Sequence, residues 1–317
     1  MRIVFCGTPQ FAVPTLEYLL AQNDFEIVGV ITQPDRPRGR GQEVSFSAVK
    51  KAALAAKLAV HQPEKIRAAE SEELLRKLAP ECVVIIAYGQ IIPARLLTIP
   101  KLGWINLHAS LLPKYRGAAP INWAIVNGEI RTGVTTMRID AGMDTGEMLL
   151  RHEIDIGPKE TAPELAARLS EIGGALMAET LRELAAGTIV SKAQNHAEAS
   201  YAPMLKKEDG RIDWKRPAAE IYNRMRGFAP WPGAYTTFRG QSCHVWGEPV
   251  SKERGASLPG GAAPGTLVGK KNEMLVWCGD ATILSLRRVQ VEGRKAVKAT
   301  DFANGARLKS GERFGDT

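Results

Sequence analysis

An amide and an imidazole two residues apart, Asn106 and His108, close the apolar run that begins at Trp104. In an extended backbone, positions i and i+2 project from the same face, so both side chains can converge on one reacting atom. Singly, each is a residue type that a fold often satisfies internally. As a pair at a strand end, with Ser110 next on that face, they outline a proton-transfer site with an oxyanion donor. The turn Ile139-Asp-Ala-Gly-Met-Asp-Thr-Gly146 offers a carboxylate to orient and charge the imidazole. Asp140 and Asp144 compete for that role. Asp140 closes a strand and can simply begin the turn. Asp144 lies between Gly142 and Gly146, where the chain can approach another loop closely, and is preferred.

These residues need a frame. Arg2–Thr8, Phe25–Gln33, Glu81–Gly89 and Trp104–Leu111 are Val- and Ile-rich runs bounded by Gly or Pro, and read as buried strands. Helical patterns fall between them at Val13–Ala21, Ser47–Leu58 and Ser71–Leu78, the last with Ser71 as its expected cap and Glu72 and Glu73 in its first turn. Gly133–Asp140 and Met148–Ile156 add a strand pair. Thr161–Ala186 is a long amphipathic helix whose stripe of Leu165, Leu169, Ile172, Leu176 and Leu184 belongs to a core. Strands alternating with helices predict an α/β fold, a Rossmann-like, doubly wound and mostly parallel sheet, with ligands beyond the carboxyl ends of its strands. The first turn, Cys6-Gly-Thr-Pro9, lacks the Gly-x-Gly-x-x-Gly of a dinucleotide site.

The 317 residues exceed what one core usually holds, and the charge is divided along them. Residues 1–205 carry 22 Lys and Arg against 22 Asp and Glu; residues 206–317 carry 20 against 12, the whole of the net +8. A neutral half and a basic half predict a second domain that meets a polyanion. The expected organisation is a catalytic domain at 1–190, a linker at 191–208 and a basic domain at 209–317. Short strands separated by Gly/Pro turns in the last part suggest a small OB-type β-barrel. The loop Gln33–Gly41 spaces Arg36, Arg38 and Arg40 with Pro and Gly, as an anion-gripping loop would. Trp231 reads as a packed domain-junction aromatic, with a stacking platform as the alternative. The four cysteines, Cys6, Cys82, Cys243 and Cys278, have no Cys-x-x-Cys spacing, so buried thiols are expected and no metal site is proposed. No apolar run approaches a membrane span or a signal peptide, which places the protein in the cytoplasm. Without an exposed apolar stripe, a monomer is expected.

Asn106-Leu-His-Ala-Ser-Leu-Leu-Pro-Lys-Tyr-Arg-Gly-Ala-Ala-Pro120, with Asp140-Ala-Gly-Met-Asp-Thr-Gly146, resembles the folate-dependent formyltransferases. Cys6–Pro9, Thr32–Gly41, Val84–Gly89, Lys207–Trp214, Ala229–Gly233 and Ala263–Thr266 extend the likeness over nearly the whole chain, toward the branch that acts on methionyl-tRNA. The resemblance implies formyl transfer from the co-substrate 10-formyltetrahydrofolate to the α-amine of initiator methionyl-tRNA, for translation initiation. Asn106, His108 and Asp144 would be catalytic. Ser110, Leu111, Leu112 and Pro113, with Ile86, Tyr88 and Gly89, would line the folate pocket. Arg36, Arg38 and Arg40, with Lys206 and Lys207, would hold the tRNA. Where the family usually has prolines before Val-Lys, this chain reads Ser45-Phe-Ser-Ala-Val-Lys50, which predicts a looser arginine loop. Rival readings are a sugar-nucleotide N-formyltransferase with the same catalytic set, a formyltetrahydrofolate hydrolase, and a tRNA-binding module with a relict site.

Overall fold

The computed structural model describes residues 1–38, 43–251, 262–270 and 272–315. Contacts divide them into two units: 1–120, 131–155 and 164–203 form the first, and 121–130, 156–163 and the chain from 204 onward form the second. The excursions 121–130 and 156–163 lie inside the span that the sequence reading gives to the first domain.

In the first unit the strands are β1 (Arg2–Gly7), β2 (Glu26–Ile31), β3 (Arg36–Arg38), β4 (Glu43–Ser45), β5 (Val60–His61), β6 (Cys82–Ile86), β7 (Trp104–His108), β8 (Arg131–Arg138) and β9 (Met148–Asp155). Seven make one sheet in the order β5-β2-β1-β6-β7-β8-β9. The first five are parallel, and β8 and β9 continue it antiparallel. The order reverses between β1 and β6, so the crevice of this doubly wound sheet opens where Gly7 and Ile86 end their strands.

Helices α1 (Val13–Leu20), α2 (Ala48–Ala55), α3 (Ala69–Leu78) and α4 (Ala94–Leu97) cover this sheet; α5 (Pro120–Val126) follows, and α6 (Ala162–Ala186) returns to the sheet. The predicted stripe of α6 is buried at Leu165, Leu169, Leu176 and Leu184, while Ile172 is half-buried. A Cβ on Gly173 would come within 2.3 Å of Leu107 Cδ2, so glycine lets α6 settle directly on β7. Helix α2 begins at the expected place, with Ser47 Oγ accepting from the Lys50 amide at 3.0 Å. Helix α3 does not: its cap position is Ala68, and Ser71 is buried in the first turn. The acidic first turn of Glu70 and Glu72 serves the helix dipole without a side-chain cap. The arginine loop also differs from a plain loop, since β3 and β4 pair as a hairpin with Arg36 opposite Ser45.

The second unit is built on α7 (Ala218–Gly227) and β10 (Tyr235–Phe238), β11 (Gln241–Pro249), β12 (Leu267–Lys270), β13 (Glu273–Trp277), β14 (Ile283–Val291) and β15 (Val297–Lys298), with α8 (Ala299–Gly305). Its antiparallel sheet runs β10-β11-β14-β13-β12, and β15 adds to β14. The two outer edges are sewn together by the chain near its carboxyl end. Leu267 N donates to Glu312 O, Phe314 N to Gly265 O and Gly315 N to Thr237 O, all at 2.8–2.9 Å. This closes the small barrel that the strand spacing suggested. Inside it Trp214 stacks on Phe314 (ring centroids 5.6 Å apart), among Met274, Val276, Leu284 and Val289. The excursion carrying α5 packs here too, with Trp123 edge-on to Phe228 and Asn122 donating to Gly227 O at 2.7 Å.

Candidate active site

Strand β7 is buried on both faces, and its parity decides the site. Leu107 meets α6, so Asn106 and His108 face the opposite layer. The following loop folds back under a network of short bonds. Ser110 Oγ donates to Lys114 O (2.6 Å), and Thr135 Oγ1, opposite His108 on β8, donates to Ser110 O (2.7 Å). The Leu112–Pro113 peptide is cis. This return brings the Tyr115 carbonyl to 2.9 Å from His108 Nε2, which fixes Nε2–H as the donor there. The other ring nitrogen, Nδ1, faces Asp144 Oδ2 at 3.7 Å, a charge contact longer than a hydrogen bond.

The two competing aspartates differ in their partners. Asp140 Oδ1 accepts from Gly142 N (3.0 Å) and Thr145 Oγ1 (2.7 Å), so it is spent on shaping the turn. Asp144 occupies the left-handed region at φ 55° and turns its carboxylate to His108 and to Gly117 N (2.8 Å). Gly117 itself has φ 116°, and a Cβ there would stand 2.7 Å from Ala202 O, so this donor position requires glycine. Asn106 is 9% exposed, and its amide makes no hydrogen bond among the described residues. A nearly buried, uncommitted donor beside an oriented imidazole is suited to an incoming oxyanion.

Behind Asp144 lies a feature that sequence reasoning missed. Arg116 is 1% exposed, yet no carboxylate pairs with it among the described residues. Its Nε and Nη2 donate to Gln194 Oε1 at 3.0 and 2.7 Å, and Nη1 lies 3.2 Å from His196 Nδ1. Gln194 Nε2 in turn donates to the carbonyls of Asp144 and Gly146, both at 2.8 Å. One amide thus ties a buried guanidinium to the main chain on both sides of the Asp144 turn. Arg116 stands within the motif that carried the resemblance, but nothing in the sequence pointed to a partner 78 residues away.

The residues expected around folate fall in two neighbouring places. Ser110 and Leu112 are buried, and Leu111 and Pro113 are half-buried, in the loop after β7. Ile86 ends the adjacent strand β6, which pairs Ile85 with Asn106, and Tyr88 and Gly89 follow it. Ile86 and Tyr88 turn into the core, and burial pushes the Tyr88 phenol upward. Ala87 and Gly89 are the exposed members of that stretch, both at positive φ. The Tyr88 carbonyl accepts from Thr8 Oγ1 and Gln33 Nε2 (both 3.0 Å), joining this loop to the turn after β1.

Of the expected tRNA contacts, Arg36 is exposed and lies 4.0 Å from the Glu64 carboxylate. Arg38 ends β3, and Arg40 lies outside the described residues. At the base of the hairpin, Lys50 and Gln62 hydrogen-bond the Asp35 carboxylate and hold it below its ordinary range. Lys206 and Lys207 are exposed at a 3-10 turn of the second unit. All four cysteines are buried free thiols, and burial pushes Cys82, Cys243 and Cys278 up to about 12. Trp231 is not packed away as the sequence suggested: it is 55% exposed.

The chain matches two family models. Residues 1–181 match "Formyl transferase", and residues 204–307 match "Formyl transferase, C-terminal domain". The chain belongs to the formyl transferase family. Among similar proteins, the methionyl-tRNA formyltransferase of Solibacter usitatus is 55% identical, with 100% of this chain and 99% of that one covered. That of Geobacter sulfurreducens is 48% identical over 100% and 97%. Of solved structures, an N-formyltransferase from Helicobacter canadensis in complex with folinic acid and dTDP-3-aminofucose has a TM-score of 0.65 at 22% identity, over 90% of this chain and 98% of that one. At that identity the likeness speaks for the formyltransferase fold alone.

Proposed function

We propose that this formyltransferase moves a formyl group from 10-formyltetrahydrofolate to the α-amine of methionyl-tRNA, the initiator species, giving N-formylmethionyl-tRNA. The observation that carries the chemistry is the side-by-side placement of Asn106 and His108 on β7 with Asp144 3.7 Å from the imidazole. The neutral amine attacks the formyl carbon, forming the new C–N bond and an oxyanion. Asn106 donates to that oxygen, and the Nε2–H now directed at Tyr115 O is the second donor for which the oxyanion competes. Such donors are worth about 3–4 kcal/mol of barrier each. Asp144 stabilises the imidazolium, so the proton lost by the amine can pass through this pair to the folate nitrogen as its C–N bond breaks. The folate is proposed to lie along the ends of β6 and β7, against residues 86–89 and 110–113.

The acceptor assignment is supported by the relatives' names, the arginine-bearing hairpin and the basic second unit. We assign tRNA contacts to Arg36, Arg38, Arg40, Lys206 and Lys207, and place the enzyme in the cytoplasm as a monomer. One competition assay tests the reading. Charged methionyl-tRNA and a sugar-nucleotide amine are offered together with the folate donor, and formyl label is expected on the tRNA. Label on the sugar amine alone would overturn the acceptor assignment.

A further inference from the structure

Strands β10, β11 and β14 carry an outer face that departs from ordinary alternation. Along β11 the inward residues Cys243 and Val245 are 1% exposed, as a barrel core requires. The intervening outward positions, where polar residues are usual, hold His244 and Trp246. Register sets Tyr235 and Gln290 on either side of His244, and Arg288 beside Trp246, with Lys298 of β15 next in that row. Trp246 is 38% exposed, and the Arg288 guanidinium lies 5.3 Å from its ring centre. The His244 ring sits 6.2 Å from Trp246 and 6.0 Å from Tyr235. Adjoining this row is a depression of about 360 Å³, with Lys207, Trp231, Tyr235 and His244 in its walls. Lys207, Arg288 and Lys298 have no ion-pair partner among the described residues. The one carboxylate in the depression, Glu292, is an acceptor suited to exocyclic amines of a base.

We infer that this face is a stacking platform for unpaired nucleotides of the RNA substrate. Aromatic rings interleaved with cations that no carboxylate neutralises are how single strands are held without sequence readout, and the polyanion also matches the charge excess of residues 206–317. The inference rests on the tRNA reading for the identity of the RNA, but it adds a binding mode: rings take bases, where Lys206 and Lys207 take phosphates.

The full-length protein tests it through tryptophan fluorescence quenching with a short oligocytidylate and with a blunt RNA duplex, alongside the KM for methionyl-tRNA. Trp246→Ala and Trp231→Ala are each expected to weaken oligocytidylate binding roughly 5- to 100-fold. Trp246→Tyr is expected to restore most of that affinity, and duplex binding to move little. The salt slope should stay unchanged in these variants, because stacking releases no counterions. If the double alanine variant binds oligocytidylate and methionyl-tRNA as the parent does while formylating tRNA, the platform is wrong and the function stands. If the parent formylates only a sugar amine yet loses oligocytidylate binding with these substitutions, the tRNA reading falls and the platform stands.

Discussion

The end of β7 and the outer face of β10, β11 and β14 represent two ways of building a site. At the β7 end Asn106 and His108 are nearly buried, and the proposed imidazole–carboxylate pair is held by hydrogen bonds to Tyr115 O and from Gly117 N, down to a left-handed aspartate. On the outer face Trp246 and Arg288 are exposed, Tyr235, His244 and Gln290 are half-buried, and strand register sets them in rows. The first arrangement tolerates almost no change, because each donor has one geometry. The second spreads its binding over several rings and charges. On the proposed reading, chemistry is concentrated and preorganised, and binding of a large substrate is distributed.

That contrast can be broken most directly at β7. Asn106→Ala and His108→Ala are expected to lower kcat about 10²- to 10³-fold, with thermal unfolding run in parallel to verify the fold; a loss below tenfold would remove the concentrated half of the comparison. Asp144→Asn keeps an acceptor for Gly117 N but removes the charge, and about a 10²-fold loss of kcat is expected. Asp140→Asn should instead show in urea unfolding, at about 1 kcal/mol, with turnover near that of the parent. Gln194→Ala strands the Arg116 guanidinium without its acceptor, and a stability loss of ~2–3 kcal/mol is expected from denaturant melts.

Smaller effects belong to the hairpin and the lysines. The Asp35 carboxyl is held below its ordinary 3.8 by hydrogen bonds from Lys50 and then Gln62. A depressed carboxylate contributes stability above that ordinary value and loses it as pH falls through the lowered one. Asp35→Asn should therefore flatten the acid limb of a stability–pH curve, and an unchanged limb would count against the pairing. Lys206→Ala and Lys207→Ala should each reduce the salt slope of tRNA binding by about one, read from KM against ionic strength.

Much of this was legible in the chain because apolar runs cut off by Gly or Pro fix where strands end, and Asn106 and His108 sit at such an end. The sequence favours Asp144 over Asp140, and the occupation of the Asp140 carboxylate by Thr145 and Gly142 supports that preference. Residues 120–126 resisted reading because Pro-Ile-Asn-Trp-Ala-Ile-Val spans about two turns with a single polar residue, too little to show a helical period, and its partner Phe228 lies far along the chain. Val60–His61 is too short to carry periodicity, and Pro37 hid the β3–β4 hairpin. Arg116 and Gln194 were invisible for a different reason: a long-range bond leaves no local pattern. Trp246 carried no sign of exposure, since an aromatic in a strand run is usually core, whereas Trp231, between two prolines, left packing and stacking both open.

The seam made by residues 312–315 has a consequence for synthesis of the chain. Glu312, Phe314 and Gly315 leave the ribosome long after Thr237, Gly265 and Leu267, whose main-chain groups they satisfy. During translation the barrel is therefore an open sheet with two unprotected edges, competent to pair with a neighbouring nascent chain. The seven-stranded sheet of the first unit has no such debt, since its last strand, β9, ends at Asp155. Ribosome stalling before residues 312–315 emerge should yield chains whose first unit has formed while the barrel remains prone to aggregation.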